Sequence, residues 1–194
     1  MNLPNKITLV RIILIPFFLF FYLAEFIPYG KLIATGILIL ACLTDAIDGY
    51  IARKYNLVTD LGKLLDPVAD KAFSVSALLL LVADGTLPSP YGVIIAIIFI
   101  IRDFLVSGVR QIAASKNIIV AADIWGKLKS IILDVVLPML FVLAYLQLDL
   151  KYPLEGFVLA YAIVCYVLIG ISTLLTIFSG LNYLIKNRKV FNEH

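Results

Sequence analysis

Histidine, cysteine and charge are scarce in this 194-residue sequence. The single histidine is His194, which excludes catalysis by a histidine base and most kinds of zinc site. The two cysteines, Cys42 and Cys165, fall inside apolar runs and provide no disulfide framework. Only 15% of the residues are charged, whereas a typical soluble domain has about 25%. These shortages exclude an ordinary water-soluble domain.

Apolar residues take the place of charge throughout the chain. They make up 62% of the sequence, and the mean hydropathy is +1.05. This excess must face lipid, so the sequence predicts an all-α, polytopic membrane protein with one domain over residues 1–194. Turn residues such as Pro28, Gly30 and Pro153 separate the apolar segments. We expect six transmembrane helices, at about 7–28, 31–54, 63–84, 90–115, 122–147 and 154–185.

The basic residues predict the orientation of these helices. Of the sixteen lysines and arginines, all but Lys31, Lys151 and Arg102 lie at the two termini or at the joints between spans 2 and 3 and between spans 4 and 5. The positive-inside rule then places both termini and these joints in the cytoplasm, with the chain in the cell membrane. Because this bias accounts for most of the net charge of +3, we do not expect nucleic acid as a partner; anionic membrane lipid is expected.

Five aspartates gather in the stretch DAIDGYIARKYNLVTDLGKLLDPVAD, at positions 45–70. On a helix, Asp45, Asp48 and Gly49 would share one stripe, continued by Ala52 and Arg53. Gly62, Asp66 and Asp70 would form a second stripe on the next helix, since they recur every four residues. The sequence therefore predicts two acidic stripes that face each other in a cavity open to the cytoplasm.

Helix rise places the ionisable residues of several spans at one depth. At about 1.5 Å per residue, Asp45, Asp70, Arg102 and Asp134 would each lie roughly 20 Å from the outer surface. A simpler alternative is that the aspartates only pair with Arg53, Lys63 and Lys71. However, a charged side chain at mid-helix costs about 2.5–3.5 kcal/mol in insertion experiments, and crowded carboxylates also repel one another. Such a cluster is normally neutralised by raised pKa values or by bound cations.

Oxygen ligands without histidine or cysteine favour Mg²⁺, Mn²⁺ or Ca²⁺. Four carboxylates can bridge two divalent ions, which is an arrangement suited to cleaving a phosphorus–oxygen bond. With arginine and lysine nearby at the membrane surface, the residues predict phosphoryl transfer on a lipid. The residues by themselves do not name the substrate.

The aspartate stretch also resembles a known family. Its residues fit D-x2-D-G-x2-A-R-x8-G-x3-D-x3-D, the signature of the CDP-alcohol phosphotransferases, without a mismatch. The opening NLPNKITLVRIILIP, the segment IIRDFLVSGVR and the segment GKLKS at 126–130 resemble the phosphatidylglycerophosphate synthase branch of that family. In that branch we expect Arg-Glu in place of Arg102–Asp103, and threonine in place of Ser130. Both departures keep the charge or the hydroxyl group.

The resemblance implies an enzyme, a homodimer and a metal-dependent site. CDP-diacylglycerol would be attacked by sn-glycerol 3-phosphate, giving phosphatidylglycerol phosphate and CMP. The metal ligands would be Asp45, Asp48, Asp66 and Asp70, holding two Mg²⁺ or Mn²⁺ ions, and Asp70 would also be the catalytic general base. The CDP-lipid would contact the remaining signature residues, Gly49, Ala52, Arg53 and Gly62.

The acceptor proposed by this resemblance is a dianion, so its pocket needs several cations. Arg102, Arg110, Lys127 and Lys129 are the candidates on spans 4 and 5, because arginine and lysine bind phosphate oxygens. Thr8 and Arg11, at the start of span 1, are two further candidates. For Arg102, simple neutralisation by Asp103 or Asp134 is the alternative interpretation.

Two other functions are weighed against this one. The first keeps the chemistry but uses inositol phosphate or serine as the acceptor. The second is a cation- or proton-coupled transporter, because carboxylates inside the membrane also line ion pathways. Charges gathered at one depth and the lack of a visible inverted repeat argue against the transporter.

Overall fold

Six long helices make up the described part of the chain. A computed structural model describes residues 3–54, 60–116 and 124–188, and at residues 3–5, 46–54, 60–67 and 70 it describes only the backbone. The helices are α1 Leu3–Leu23, α2 Gly30–Lys54, α3 Asp60–Ala83, α4 Tyr91–Ser115, α5 Ile124–Ala144 and α6 Gly156–Lys186. A π-helical turn, Tyr145–Asp149, extends α5. No strand occurs among the described residues, so the predicted all-α class is confirmed.

Four helices are long and apolar enough to cross a membrane within the described residues. These segments are Lys6–Leu23, Tyr91–Ser115, Ile124–Asp149 and Gly156–Lys186, and α3 adds the shorter apolar segment Lys71–Ala83. The arrangement is that of a polytopic membrane protein. The helix bounds agree with the expected spans to within a few residues, except that α1 ends at Leu23, before the expected limit of 28.

An aromatic cluster marks the point where α1, α3 and α5 meet. The Phe18 ring lies 5.6 Å from Phe73 and 5.4 Å from Phe141, centroid to centroid, and Tyr22 lies 4.8 Å from Phe141. All four side chains are buried. In lipid, helices associate through close packing of this kind rather than by escaping water. The cluster therefore holds the three helices at a fixed separation.

Polar contacts join the loops at one end of the bundle. The Tyr22 hydroxyl donates to the Asp84 carboxylate, which also accepts the Thr86 N–H at 2.8 Å. Lys31 at the start of α2 pairs with Asp149 at the end of the π-helical turn. This end thus carries the α1–α2, α3–α4 and α5–α6 connections, and the opposite end carries the acidic halves of α2 and α3.

The α1–α2 connection is tight enough to require glycine at its end. A Cβ placed on Gly30 would lie 2.4 Å from the Phe21 carbonyl oxygen of α1. Because that neighbour is backbone, it cannot move aside as a side chain would. Gly30 therefore lets α2 begin against the last turn of α1.

Candidate active site

Arg11 of α1 forms an ion pair with Asp45 of α2. Its Nη1 lies 2.5 Å from Asp45 Oδ1, and the Arg11 side chain is only 2% exposed, whereas that of Asp45 is 47% exposed. Thr8, one turn before Arg11 on α1, is fully buried. The two predicted span 1 residues thus face the interior of the bundle, as i, i+3 neighbours on a helix do. Arg11 contacts the first aspartate of the signature directly.

Asp45 and Asp134 line one small cavity between α1, α2, α3 and α5. Arg11, Cys42 and Ser74 supply its other polar lining atoms. The structure therefore brings together two of the carboxylates that helix rise placed at one depth. Arg102 is not among the lining residues.

The other signature residues lie on the predicted helices. Asp48, Gly49, Ala52 and Arg53 are in α2, and Gly62, Asp66 and Asp70 are in α3. Their side chains lie outside the described residues, as does Lys63, and so the facing of the two stripes stays a prediction. Lys71 is described, and it donates a hydrogen bond to Ser107 of α4.

The carboxylates of Asp45 and Asp134 are donor groups that suit a hard divalent cation. The Asp45 carboxylate is half-exposed and lines a cavity whose other carboxylate belongs to Asp134. Carboxylate oxygens are the ligands that Mg²⁺ and Mn²⁺ favour. Among the described side chains, no three His, Cys, Asp or Glu residues lie close enough together to hold a metal ion. The side chains of the other three predicted ligands, Asp48, Asp66 and Asp70, are outside the described part.

Arg102 and Lys129 share the carboxylate of Asp103. Arg102 Nη1 donates to Asp103 Oδ1 at 3.0 Å, and Lys129 Nζ lies 3.0 Å from Oδ1 and 3.2 Å from Oδ2. The Lys129 side chain is 3% exposed, and its ammonium group also lies 4.8 Å from the centre of the Phe99 ring. Burial in lipid makes such pairing favourable because an unpaired charge is costly there. Asp103 therefore joins cationic side chains of α4 and α5.

Comparison with known proteins places the chain in a family. The family model for CDP-alcohol phosphatidyltransferase matches residues 1–179. This chain belongs to that family. Similar proteins named CDP-diacylglycerol–glycerol-3-phosphate 3-phosphatidyltransferase occur in Bacillus subtilis (44% identical over 140 residues, 66% of this chain and 70% of the relative) and Rickettsia bellii (34% over 191 residues, 98% and 97%). A Mycobacterium tuberculosis protein named probable phosphatidylglycerophosphate synthase is 32% identical over 184 residues, 94% of this chain and 79% of the relative.

Membership of the CDP-alcohol phosphatidyltransferase family confirms the resemblance read from the signature, and it makes the chain an enzyme of this kind. The family is generally dependent on divalent metal ions. In this chain the aspartate signature falls on α2 and α3. The cavity at Asp45 is therefore the candidate catalytic region, and the Arg102–Asp103–Lys129 cluster lies on helices outside the signature.

The four cations predicted on spans 4 and 5 separate into two pairs. Arg102 and Lys129 are the largely buried pair, 14% and 3% exposed, and both contact Asp103. Arg110 and Lys127 are exposed, and neither has a salt bridge within the described part of the chain. This exposed pair is accessible at the protein surface.

The sequence reasoning missed a row of hydroxyl groups on α6. Ser172, Thr176 and Ser179 are buried; Ser172 Oγ donates to the Lys129 carbonyl at 3.3 Å, and Ser179 Oγ accepts from Arg102 Nη2 at 3.3 Å. Their spacing of four and three residues is that of one helix face. Polar residues at this spacing in an otherwise apolar span were the available signal. Through Ser172 and Ser179, α6 contacts the backbone of Lys129 and the side chain of Arg102.

Proposed function

We propose that this chain transfers the phosphatidyl group of CDP-diacylglycerol to sn-glycerol 3-phosphate, giving phosphatidylglycerol phosphate and CMP. The observation that carries the proposal is the similarity, over almost the whole chain, to relatives named for this reaction. The basic side chains that α4 and α5 carry, Arg102, Arg110, Lys127 and Lys129, support an acceptor that bears a phosphate group. The proposed place of the reaction is phospholipid biosynthesis.

The proposed metal ligands are Asp45, Asp48, Asp66 and Asp70, holding two Mg²⁺ or Mn²⁺ ions. When bound, such ions draw charge from the pyrophosphate oxygens and stabilise the departing CMP. The half-exposed carboxylate of Asp45 supports this assignment because it is accessible from its cavity. Arg11 holds the same carboxylate, so it also fixes the orientation of one proposed ligand.

The proposed general base is Asp70. One of its oxygens takes the proton from the acceptor hydroxyl, for which it must lie within about 3 Å of that hydroxyl. The hydroxyl oxygen then forms a bond to the β-phosphorus of CDP-diacylglycerol. The bond between that phosphorus and the bridging oxygen breaks, and CMP leaves with the oxygen. Atoms and charge balance without any further reactant.

The CDP-lipid is assigned to the signature residues that carry no proposed metal. Arg53 would bind phosphate oxygens as a charge-assisted donor. Gly49, Ala52 and Gly62 are small, which permits the nucleotide to approach the helix backbone. All four lie on α2 or α3.

The acceptor phosphate is assigned to Arg102, Arg110, Lys127 and Lys129. Exposed Arg110 and Lys127 would meet it first, and the buried pair Arg102 and Lys129 would fix its position. Thr8 and Arg11 stay acceptor candidates from α1. Since Arg11 pairs with Asp45, it would bring the acceptor site and the metal site together.

The protein is proposed to form a homodimer in the cell membrane. Both termini would face the cytoplasm, α2 and α3 would also cross the bilayer, and the active-site cavity would open to the inner leaflet. Basic residues at the termini and inner joints support this orientation.

An acceptor panel tests the proposed reaction. The purified full chain is incubated with CDP-diacylglycerol and Mg²⁺, and CMP release is measured with glycerol 3-phosphate, serine or inositol phosphate. We expect CMP with glycerol 3-phosphate alone. CMP release with serine or inositol phosphate instead would show that the alternative acceptor is the substrate. No CMP release with any of the three would favour the transporter alternative.

A matched pair of aspartate variants serves as the control. Asp70→Asn should abolish CMP release while CDP-diacylglycerol still binds, because the amide cannot accept the proton. Asp60→Asn, at the start of α3 and outside the signature, should keep near-normal turnover. Normal turnover in Asp70→Asn would remove this residue as the base.

A further inference from the structure

Gly126 of α5 lies against the guanidinium group of Arg102 on α4. A Cβ placed on Gly126 would fall 2.5 Å from Arg102 Nη2 and 3.7 Å from its Cζ. Cβ atoms essentially never approach another heavy atom as closely as 2.5 Å. The guanidinium therefore occupies the space that any side chain at position 126 would fill.

Three further contacts hold the same side chain. Nη1 of Arg102 donates to Asp103 at 3.0 Å, and Nη2 donates to Ser179 Oγ at 3.3 Å. On α6, a Cβ added to Gly180 would lie 3.2 Å from Arg102 Cγ. Arg102 is thus enclosed between α5 and α6, and its side chain is 14% exposed.

We propose that Gly126 is a positioning residue for the acceptor phosphate. Its lack of a side chain places the Arg102 guanidinium, and Asp103 then links that guanidinium to the ammonium group of Lys129. This inference rests on the proposed function, in which Arg102 and Lys129 bind the phosphate of the acceptor. Gly126 begins the segment GKLKS that resembles the synthase branch, but neither the aspartate signature nor the set of candidate cations gives it a role.

The contact at Gly126 is with the far end of a flexible side chain rather than with backbone. Gly126→Ala should therefore fold, because Arg102 can move aside. Alanine also has a better helix propensity than glycine. Gly170 on α6 is the matched control, since a Cβ there meets nothing within 4 Å. The two substitutions are chemically identical, and only one displaces a cation.

The test compares steady-state kinetics and thermal unfolding of the full chain with those of Gly126→Ala and Gly170→Ala. We expect Gly126→Ala to raise KM for glycerol 3-phosphate about tenfold, because a misplaced cation loses contact with the phosphate. KM for CDP-diacylglycerol and the unfolding midpoint should stay near their normal values, and Gly170→Ala should resemble the unaltered chain. Unchanged KM values in Gly126→Ala, or a parallel rise in both, would overturn the proposal.

An Arg102→Lys background shows whether the effect passes through the guanidinium. Lysine lacks Nη2, so adding Gly126→Ala there should change KM for the acceptor by less than about twofold. A tenfold rise in that background would overturn the proposal, because the effect would come from the helix backbone.

Ser179→Ala tests the same idea without adding an atom. It removes the hydrogen bond to Arg102 Nη2 and should raise KM for the acceptor about threefold. This variant decides the question should Gly126→Ala fail to fold, and an unchanged KM would then contradict the proposal.

The panel separates failure of this inference from failure of the proposed function. If the unaltered chain uses inositol phosphate instead, the proposed reaction fails, and the same comparison is made on that acceptor. If it uses glycerol 3-phosphate and Gly126→Ala behaves like Gly170→Ala, only the inference fails. Use of unphosphorylated serine alone would overturn both.

Discussion

At the residue scale, cationic side chains inside the bundle lie against carboxylates. Asp103 accepts hydrogen bonds from both Arg102 and Lys129, whereas Arg11 is matched to Asp45. A carboxylate shared by two cations reduces the cost of burying them. The ion pair of Arg102 with Asp103 is one that the neutralisation interpretation of Arg102 expected.

Lys127 offers a direct test of the exposed pair. Lys127→Ala should raise KM for glycerol 3-phosphate about tenfold, because one charge-assisted contact with the phosphate is lost. KM for CDP-diacylglycerol should change by less than about twofold, since Lys127 lies outside the signature. Steady-state kinetics with each substrate varied in turn measures both values.

Lys151→Ala is the control for Lys127→Ala. Lys151 is also exposed but lies in the α5–α6 loop, at the opposite end of the bundle. It should change neither KM. Equal effects of the two lysine variants, or equal effects of Lys127→Ala on both substrates, would refute the assigned acceptor pocket.

At the scale of the helices, the two ends of the bundle differ in how they are held. Tyr22, Asp84 and Thr86 join the end of α1 to the α3–α4 loop, and Lys31 with Asp149 joins α2 to the end of α5. These contacts hold the helices together at the end opposite the signature aspartates.

Removing one of these links should lower stability without changing catalysis. Tyr22→Phe deletes the hydroxyl that donates to Asp84, and a hydrogen bond to a charged group contributes about 1.5–3 kcal/mol. Because Asp84 keeps the Thr86 N–H, we expect a loss of about 1–2 kcal/mol in the free energy of unfolding. Thermal unfolding in detergent measures the loss, and kcat should be unchanged.

Tyr91→Phe is the matched control, because the Tyr91 side chain is 71% exposed at the start of α4. Its unfolding midpoint should equal that of the unaltered chain. The same midpoint in both phenylalanine variants would show that the Tyr22–Asp84 contact does not stabilise the bundle.

The helices were predictable from the sequence, and the contacts between them were not. Long apolar runs and turn residues gave the six helices because lipid demands about 20 apolar residues per span. The role proposed for Gly126 depends on the contact between α4 and α5 that places Arg102 beside it. Residue spacing along a single helix does not predict such a contact. Asp103 was foreseen as a neighbour of Arg102 but not as a partner of Lys129. The position of Asp134 beside Asp45 followed from helix rise, since both count inward from the same surface.

At the scale of the whole molecule, the fold brings two sets of ionisable residues together from different helices. Asp45 and Asp134 meet Arg11 in one cavity, and Arg102, Asp103 and Lys129 meet between α4 and α5, with α6 behind. The proposed reaction uses Asp45 of the first set as a metal ligand, and the cations Arg11, Arg102 and Lys129 for the acceptor. Its central claim is that the acidic halves of α2 and α3 face each other and hold divalent cations.

Anomalous diffraction from crystals of the full chain grown with Mn²⁺ tests that claim most directly. The account predicts manganese peaks between α2 and α3, with oxygens of Asp45, Asp48, Asp66 and Asp70 at about 2.0–2.6 Å. Carboxylates that point away from one another, with no manganese among them, would contradict it.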